Sequence, residues 1–387
     1  MIETPEFHWI DNPQELEVLC QKWSALPAVA LDTEFVRTDT FYPKPGLLQL
    51  NDGEETYLID PLEIGKHQAL SDLLTNPNVV KVMHSCSEDL EVFQGCCHVL
   101  PQPVFDTQIA AAFAGYGIGV GYANLLREMF NVDLPKDATR SDWLQRPLAE
   151  VQKHYAALDV EHLLQIYTTL CEKLTSQNKL AWVLDDCQSV LNNTTSPQAV
   201  NVDYYQKIKL AWQLNPRSLA VLKELCIWRE RQARKRNIPR NRVLKDQTLF
   251  SLARTRPPHF AKLTTIDGMT ARVIKKDGPT LLELVKKAQE NEAEFPQRLP
   301  KPLPPIAGAI TKALRDFVVQ KAEELLLPPE VLIKKTDLQH LAREILSNQP
   351  LTLSDRLQTG WRFEVIGQGL LDYACTLNID NVAEQGG

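Results

Sequence analysis

The 387-residue sequence reads as an α/β domain, a mixed sheet flanked by helices, followed by two small all-α helical bundles. Three observations lead there. Up to Met83, short apolar runs bounded by turn residues alternate with amphipathic stretches, and Asn51-Asp52-Gly53 is a hairpin signal between two of the runs. Beyond about residue 200 the pattern is helical. There a shift of 89 positions lays Leu225 on Leu314, Trp228 on Phe317, Pro239 on Pro328, Val243 on Leu332, Leu249 on Leu338, Leu252 on Leu341 and Ala253 on Ala342. A slightly longer shift lays Gly268, Val273 and Ile274 on Gly360, Val365 and Ile366. Apolar matches at helical spacing with shared turn residues specify a duplicated bundle.

Taken in order, Asn12-Pro13-Gln14-Glu15 opens a helix that carries Leu16, Leu19 and Trp23 on one face. Pro27-Ala28-Val29-Ala30-Leu31 is a buried strand running on to Phe35, and residues 46–50 and 56–60 are two more, read with it as antiparallel neighbours. A helix around residues 68–74 leads through Asn76-Pro77-Asn78 to a strand at residues 79–83, after which the chain reads as helical to about residue 193. Hairpin-linked strands followed by strands alternating with helices give a mixed sheet. Asn192-Asn193-Thr194-Thr195-Ser196-Pro197 and the proline-rich residues 296–305 are linkers, so the expected domains are 1–195, 210–290 and 305–380.

Composition narrows the class. Apolar residues make up 44% and charged residues 24%, which excludes a disordered chain. No apolar run approaches the roughly 20 residues that span a bilayer. Met1-Ile2-Glu3-Thr4-Pro5-Glu6 is acidic where a signal peptide is basic, so the cytoplasm is expected and no membrane partner. Eight cysteines without a C-x-x-C pair argue against a zinc site or a disulfide framework. The net charge of −7 hides a division: residues 1–195 hold 12 basic against 28 acidic side chains, residues 216–288 hold 18 against 6. An acidic module tied to a basic one suits metal chemistry in the first and a polyanion held by the second.

Three acidic groups could carry that chemistry. In Leu31-Asp32-Thr33-Glu34-Phe35 the two carboxylates sit at i and i+2 on one face of a strand, where a divalent cation is the usual remedy for their repulsion. Alone, such a pair is commonly just a strand end in solvent. Ser85-Cys86-Ser87-Glu88-Asp89-Leu90-Glu91 follows a strand, and Ser85 with Glu88 fits a capping box that places Asp89 in the first helical turn. His84 and Cys86 read as packing residues. In the helical run 148–174, Tyr155 and Asp159 are four apart and share a face, whereas His154 points roughly 140° away from Asp159.

Together Asp32, Glu34, Asp89 and Asp159, with Tyr155 one turn before the last, follow the motif order of the DEDD exonucleases, and the chain resembles their tyrosine branch. Within it the sequence is similar to the bacterial ribonuclease D family, on Leu31-Asp32-Thr33-Glu34-Phe35, Ser87-Glu88-Asp89-Leu90-Glu91-Val92-Phe93 and Tyr155-Ala156-Ala157-Leu158-Asp159, over essentially its whole length. A sister branch uses a histidine five before the last aspartate; both spacings are present, and the helix face favours Tyr155. The resemblance implies a ribonuclease H-like exonuclease fold, two HRDC-type bundles and two divalent ions, Mg2+ or Mn2+. Asp32 would bridge them, with Glu34 and Asp159 on the nucleophile side and Asp89 serving the second. It also implies an enzyme that removes 5′-mononucleotides one at a time from RNA 3′ ends, tRNA precursors and other small structured RNAs, with no nucleotide cofactor. A phenol with an unperturbed pKa near 10 is a poor base at neutral pH, so Tyr155 is assigned to orienting the attacking water.

Nucleic-acid contacts are expected from Gln49, from the loop Phe41-Tyr42-Pro43-Lys44-Pro45, and from Arg229, Arg231, Arg234, Lys235, Arg236, Arg240 and Arg242. Two other readings compete: a DNA 3′–5′ exonuclease of the same superfamily, and a non-catalytic RNA-binding scaffold. No polymerase module follows, which counts against proofreading, and the complete acidic set counts against the scaffold.

Overall fold

The computed structural model describes residues 5–135, 141–194 and 200–377; the linker residues 195–197, the amino-terminal Met1 to Thr4 and residues 378–380 of the expected third domain lie outside them. The chain divides into two compact units. The first takes in Met1–Val36, Pro45–Thr194 and Leu303–Gly387, the second Arg37–Lys44 and Thr195–Pro302.

The first unit is built on a six-stranded sheet of order β1-β4-β3-β2-β5-β6, with β1 at His8–Ile10, β2 at Ala28–Val36, β3 at Lys44–Asn51, β4 at Thr56–Ile59, β5 at Val80–Met83 and β6 at Val104–Asp106. β3 and β4 pair antiparallel, while β1–β4, β2–β5 and β5–β6 are parallel, so the sheet is mixed. The edge strands β1 and β6, three residues each, are absent from the sequence reading because such short runs carry no periodicity.

Alternation along β2 decides which layer covers each face. Val29 and Leu31 pack with Leu16, Cys20 and Trp23 of α1 (Pro13–Trp23), Leu70, Leu73 and Leu74 of α2 (Gln68–Thr75) and Leu90, Val92 and Phe93 of α3 (Ser87–Cys96). Asn12 caps α1 as expected, its side chain accepting from the N–H groups of Gln14 and Glu15. Ala28 and Ala30 face the other way, onto Val160 and Leu163. These small side chains let the covering helices approach the sheet closely. Further round, α4 (Thr107–Phe113) and α5 (Tyr122–Phe130) complete the layers.

The single helix expected at residues 148–174 is two, α6 (Glu150–Glu161) and α7 (Leu163–Ser176). Tyr122 breaks it. Its hydroxyl donates to the Leu158 carbonyl oxygen (3.0 Å) and accepts from the His162 N–H (3.3 Å), standing inside what would be one i to i−4 helical bond. The segment before α6 is fastened by Arg146, whose guanidinium forks onto both oxygens of buried Asp60 (2.6 and 2.6 Å) and donates to the Gly46 carbonyl oxygen (2.6 Å). There Trp143 lies against β3 so closely that a Cβ on Gly46 would stand 2.6 Å from its own.

After α8 (Leu180–Asn193), the second helical bundle belongs to this unit rather than standing alone. Its helices mirror those of the first bundle. In the second unit these are α9 (Pro216–Arg236), α10 (Asp246–Thr255) and α11 (Ala271–Lys287); in the first unit they are α12 (Ala307–Leu325), α13 (Lys335–Leu346) and α14 (Gln368–Thr376). One apolar core runs from Phe113, Leu170 and Val183 into Ile310, Leu341 and Leu370. Trp182 stacks on Trp361 at 4.8 Å, and Arg362 forks onto Asp186 at 2.6 and 2.5 Å. The expected separate domain 305–380 therefore shares its core with the sheet unit.

In the second unit, residues 37–44 lie on α9. Phe41, 7% exposed, packs with Tyr205, Leu222 and Val243, and its N–H and that of Tyr42 donate to Asn237 Oδ1 at 3.0 and 3.1 Å. Asn237 ends α9 in the left-handed conformation, φ 47°, which an asparagine tolerates better than most residues.

Candidate active site

β2, α3 and α6 bring the acidic residues together. Asp32 and Glu34 project from the Ala28–Ala30 face of β2, where α6 approaches over alanines and places Asp159 and Tyr155. Thr33, on the opposite face, donates its hydroxyl to Asp89 Oδ1 at 2.5 Å, which sets the first turn of α3 beside the strand. Asp89 is 7% exposed, and Asp32, Glu34, Tyr155 and Asp159 are half-buried.

Each carboxylate resists ionisation. Burial pushes Asp32 well above the usual carboxylate range, and Asp89, Asp159 and Glu34 add their repulsion. Glu34 is pushed up to about 8 by burial and then by Asp159 and Asp89. Burial lifts Asp89 to about 7 against the opposing Thr33 hydrogen bond, and lifts Asp159 to about 7 against the opposing Tyr155 hydrogen bond. Tyr155 itself is held protonated, by burial first and then by Asp159, Glu34 and Asp32. His154 stands apart from this group, its ring edge-on to Phe7 at 5.6 Å.

The capping box expected from Ser85 and Glu88 is not formed. Ser85 adopts φ 61°, Cys86 precedes the helix, and the carboxylate of Asp106 accepts from the N–H groups of Ser85 (3.0 Å) and Cys86 (3.0 Å) instead. Asp106 also caps α4 through Gln108 (2.9 Å), so one carboxylate at the end of β6 fixes the approach to Asp89. Thr33, Asp106 and Tyr122 escape the sequence reading, since each acts on a partner remote in sequence. The aspartate-threonine step before an apolar helix is the one local signal, and it marks Asp106 only as a cap.

His84 adjoins this turn. Its Nε2 is 3.1 Å from the Val120 carbonyl oxygen and its Nδ1 is 2.8 Å from Thr107 Oγ1. Burial lowers its pKa despite the opposing charge of Asp106. A base with a folded pKa below its unfolded 6.5 costs nothing above that pH; as pH falls through 6.5 the unfolded chain gains a proton that the folded one declines. The melting temperature should fall more between pH 7.5 and 5.5 in the wild type than in His84→Gln, and equal losses would remove His84 from the account.

The four carboxylates offer only hard oxygen donors, concentrated where burial, and at Asp32 and Glu34 also neighbouring charge, raises their pKa values, which fits a divalent cation by charge and by donor type. The set is not a closed cage: among the described residues no three His, Cys, Asp or Glu side chains stand ready to hold a metal ion.

Comparison with known proteins bears on the whole chain. A family model described as 3′-5′ exonuclease matches residues 7–175, and an HRDC domain model matches residues 218–285. Ribonuclease D of Pseudomonas paraeruginosa is 45% identical, over 96% of this chain and 98% of its own. The chain belongs to the ribonuclease D family. Ribonuclease D of Escherichia coli is 37% identical over 94% of this chain and 97% of its own. The crystal structure of the Escherichia coli enzyme aligns with a TM-score of 0.86 at 36% identity, covering 96% and 100% of the two chains. As a ribonuclease D this protein is a 3′–5′ exoribonuclease that acts on RNA, in a superfamily that generally uses divalent metal ions. Among the described residues no helix is long and apolar enough to cross a membrane.

The residues expected to meet RNA divide. Gln49 is fully buried on β3, and neither atom of its amide has a hydrogen-bond partner, so it does not reach a nucleotide. Phe41 is buried in the helical core. Arg229, 1% exposed, donates to Asp246 (2.6 Å) and to the Leu244 carbonyl oxygen (2.9 Å). Arg234 and Arg240 both grip Glu230 and lie 5.1 and 4.9 Å over the Phe41 ring, and Arg236 pairs with Asp277. Glu230, pushed up by burial, is held below the usual range by those two arginines. Arg231, Lys235 and Arg242 remain exposed. A dense basic run thus proves to be largely internal ion pairing, because a long helix must bury one face whatever its composition.

Proposed function

We propose that this ribonuclease D removes 5′-mononucleotides one at a time from the 3′ ends of tRNA precursors and other small structured RNAs, with Asp32, Glu34, Asp89 and Asp159 holding two divalent ions, Mg2+ or Mn2+. The convergence of four carboxylates whose pKa values are raised by burial first, and for Asp32, Glu34 and Asp159 also by charges within the group, carries this reading. The Escherichia coli relative is described as an exoribonuclease involved in structured RNA processing, which supports the substrate class.

When bound, the divalent ions acidify water and offset negative charge on the scissile phosphate and leaving oxygen. The protein's part is placement. Asp32 and Glu34 are fixed by the strand, Asp159 by the close packing of α6, and Asp89 by the Thr33 hydroxyl. Tyr155 stays protonated beside Asp159 and orients the attacking water as a neutral phenol.

A 3′-extended tRNA incubated with magnesium, manganese or a chelator tests the reading. Mononucleotides should accumulate with either metal and not with the chelator, and Asp159→Ala should abolish their release. Tyr155→Phe should lose about 100-fold while His154→Ala stays near wild type. If His154→Ala is the damaged variant, the tyrosine assignment is wrong.

We place phosphate contacts at Arg231, Lys235 and Arg242. Replacing all three by alanine should weaken RNA binding and flatten its dependence on log salt by about 2, at roughly 0.7 for each phosphate no longer neutralised. Hydrolysis of a dinucleotide should be unchanged. Equal losses on long and very short substrates would refute the assignment.

A further inference from the structure

Cys96 and Cys97 close α3, the helix whose first turn carries Asp89, and their Sγ atoms stand 3.5 Å apart. Successive helix positions diverge by about 100°; the two thiols meet where the helix ends at Cys97. Cys97 is 4% exposed, whereas Cys96 is half-buried and within reach of solvent. Cys20, 1% exposed, lies near enough to Cys97 to act on its charge.

The pair differs from the other thiols. Burial pushes up Cys20, Cys86, Cys171, Cys187 and Cys226, and among the described residues the hydrogen bonds show none of these with another thiol as its partner. Cys96 goes the other way, lowered by the hydrogen bond from its neighbour's thiol, while Cys97 is raised by the same interaction.

Two thiolates sharing one pyramidal centre, with bonds near 2.3 Å and an angle of about 100° between them, hold their sulfurs roughly 3.5 Å apart. The observed 3.5 Å is close to that chelating bite. Thiolates select soft centres over the hard ions that suit carboxylates. We propose that Cys96 and Cys97 form a dithiol site for a soft, thiophilic trivalent metalloid, distinct in ligand chemistry from the carboxylate site.

Phenylarsine oxide is the probe. Its As–O bond breaks, two S–As bonds form, and the two thiol protons leave with the oxygen as water, without change of oxidation state. In excess glutathione, intact-mass spectrometry should show one adduct per chain, reversed by a small dithiol. The adduct should vanish in Cys96→Ser and in Cys97→Ser and persist in Cys375→Ser. An adduct that survives in both of the first two variants, or its absence from the wild type, overturns the proposal.

Discussion

Asp32→Asn is expected to lower mononucleotide release by about 1000-fold or more, the equivalent of roughly 4 kcal/mol of transition-state stabilisation. Asp32 is the carboxylate on which Asp89, Asp159 and Glu34 all act, so losing its charge weakens the hold on every cation the group can bind. The same substitution should raise the melting temperature of the chelator-treated protein by a few degrees, because an amide carries no charge for burial and the neighbouring carboxylates to penalise. Added Mg2+ should then stabilise the wild type more than the variant. The two readouts move in opposite directions, which separates a role at the site from a general fault in folding. A variant that loses both activity and stability would show that Asp32 supports the strand rather than the chemistry.

Arg362→Met is expected to destabilise the sheet-bearing unit by about 3 kcal/mol or more, because Asp186 is left as a largely buried, unpaired carboxylate. The side chains are 5% and 18% exposed, the fork is bidentate, and Arg362 also donates to the Val331 carbonyl oxygen at 3.0 and 3.1 Å. Thermal unfolding should start roughly 10 °C lower, and the double variant Asp186→Asn, Arg362→Met should recover most of the loss, since a missing pair is far less harmful than half of one. The second bundle and the exonuclease sheet share one apolar core, so they should melt in a single transition. An unchanged melting temperature in Arg362→Met would mean that this bundle leans on the sheet without supporting it.

The motifs for the acidic site are local and legible as strings: a strand ending in Asp32 and Glu34, a helix start bearing Asp89, a helix face shared by Tyr155 and Asp159. So is the helical duplication. Its copies of the short helix, Arg240–Val243 and Pro329–Leu332, and the starts of the next, Asp246 and Lys335, keep the 89-residue offset. Periodicity records which face a helix or strand buries, and that much is written in neighbouring residues.

What covers each face is not. The break at His162 depends on a hydroxyl from Tyr122, and the approach to Asp89 depends on the carboxylate of Asp106. The basic run 229–242 spends most of its charge on Glu230, Asp246 and Asp277, and Gln49 disappears beneath the sheet's covering layer. Likewise the duplicated bundles look interchangeable along the chain, yet one joins the exonuclease core and the other holds residues 37–44. Pairing between distant residues is a property of surfaces that exist only after the chain has folded, so local pattern could name the chemistry and its carriers, while packing alone chose which charges stayed free to perform it.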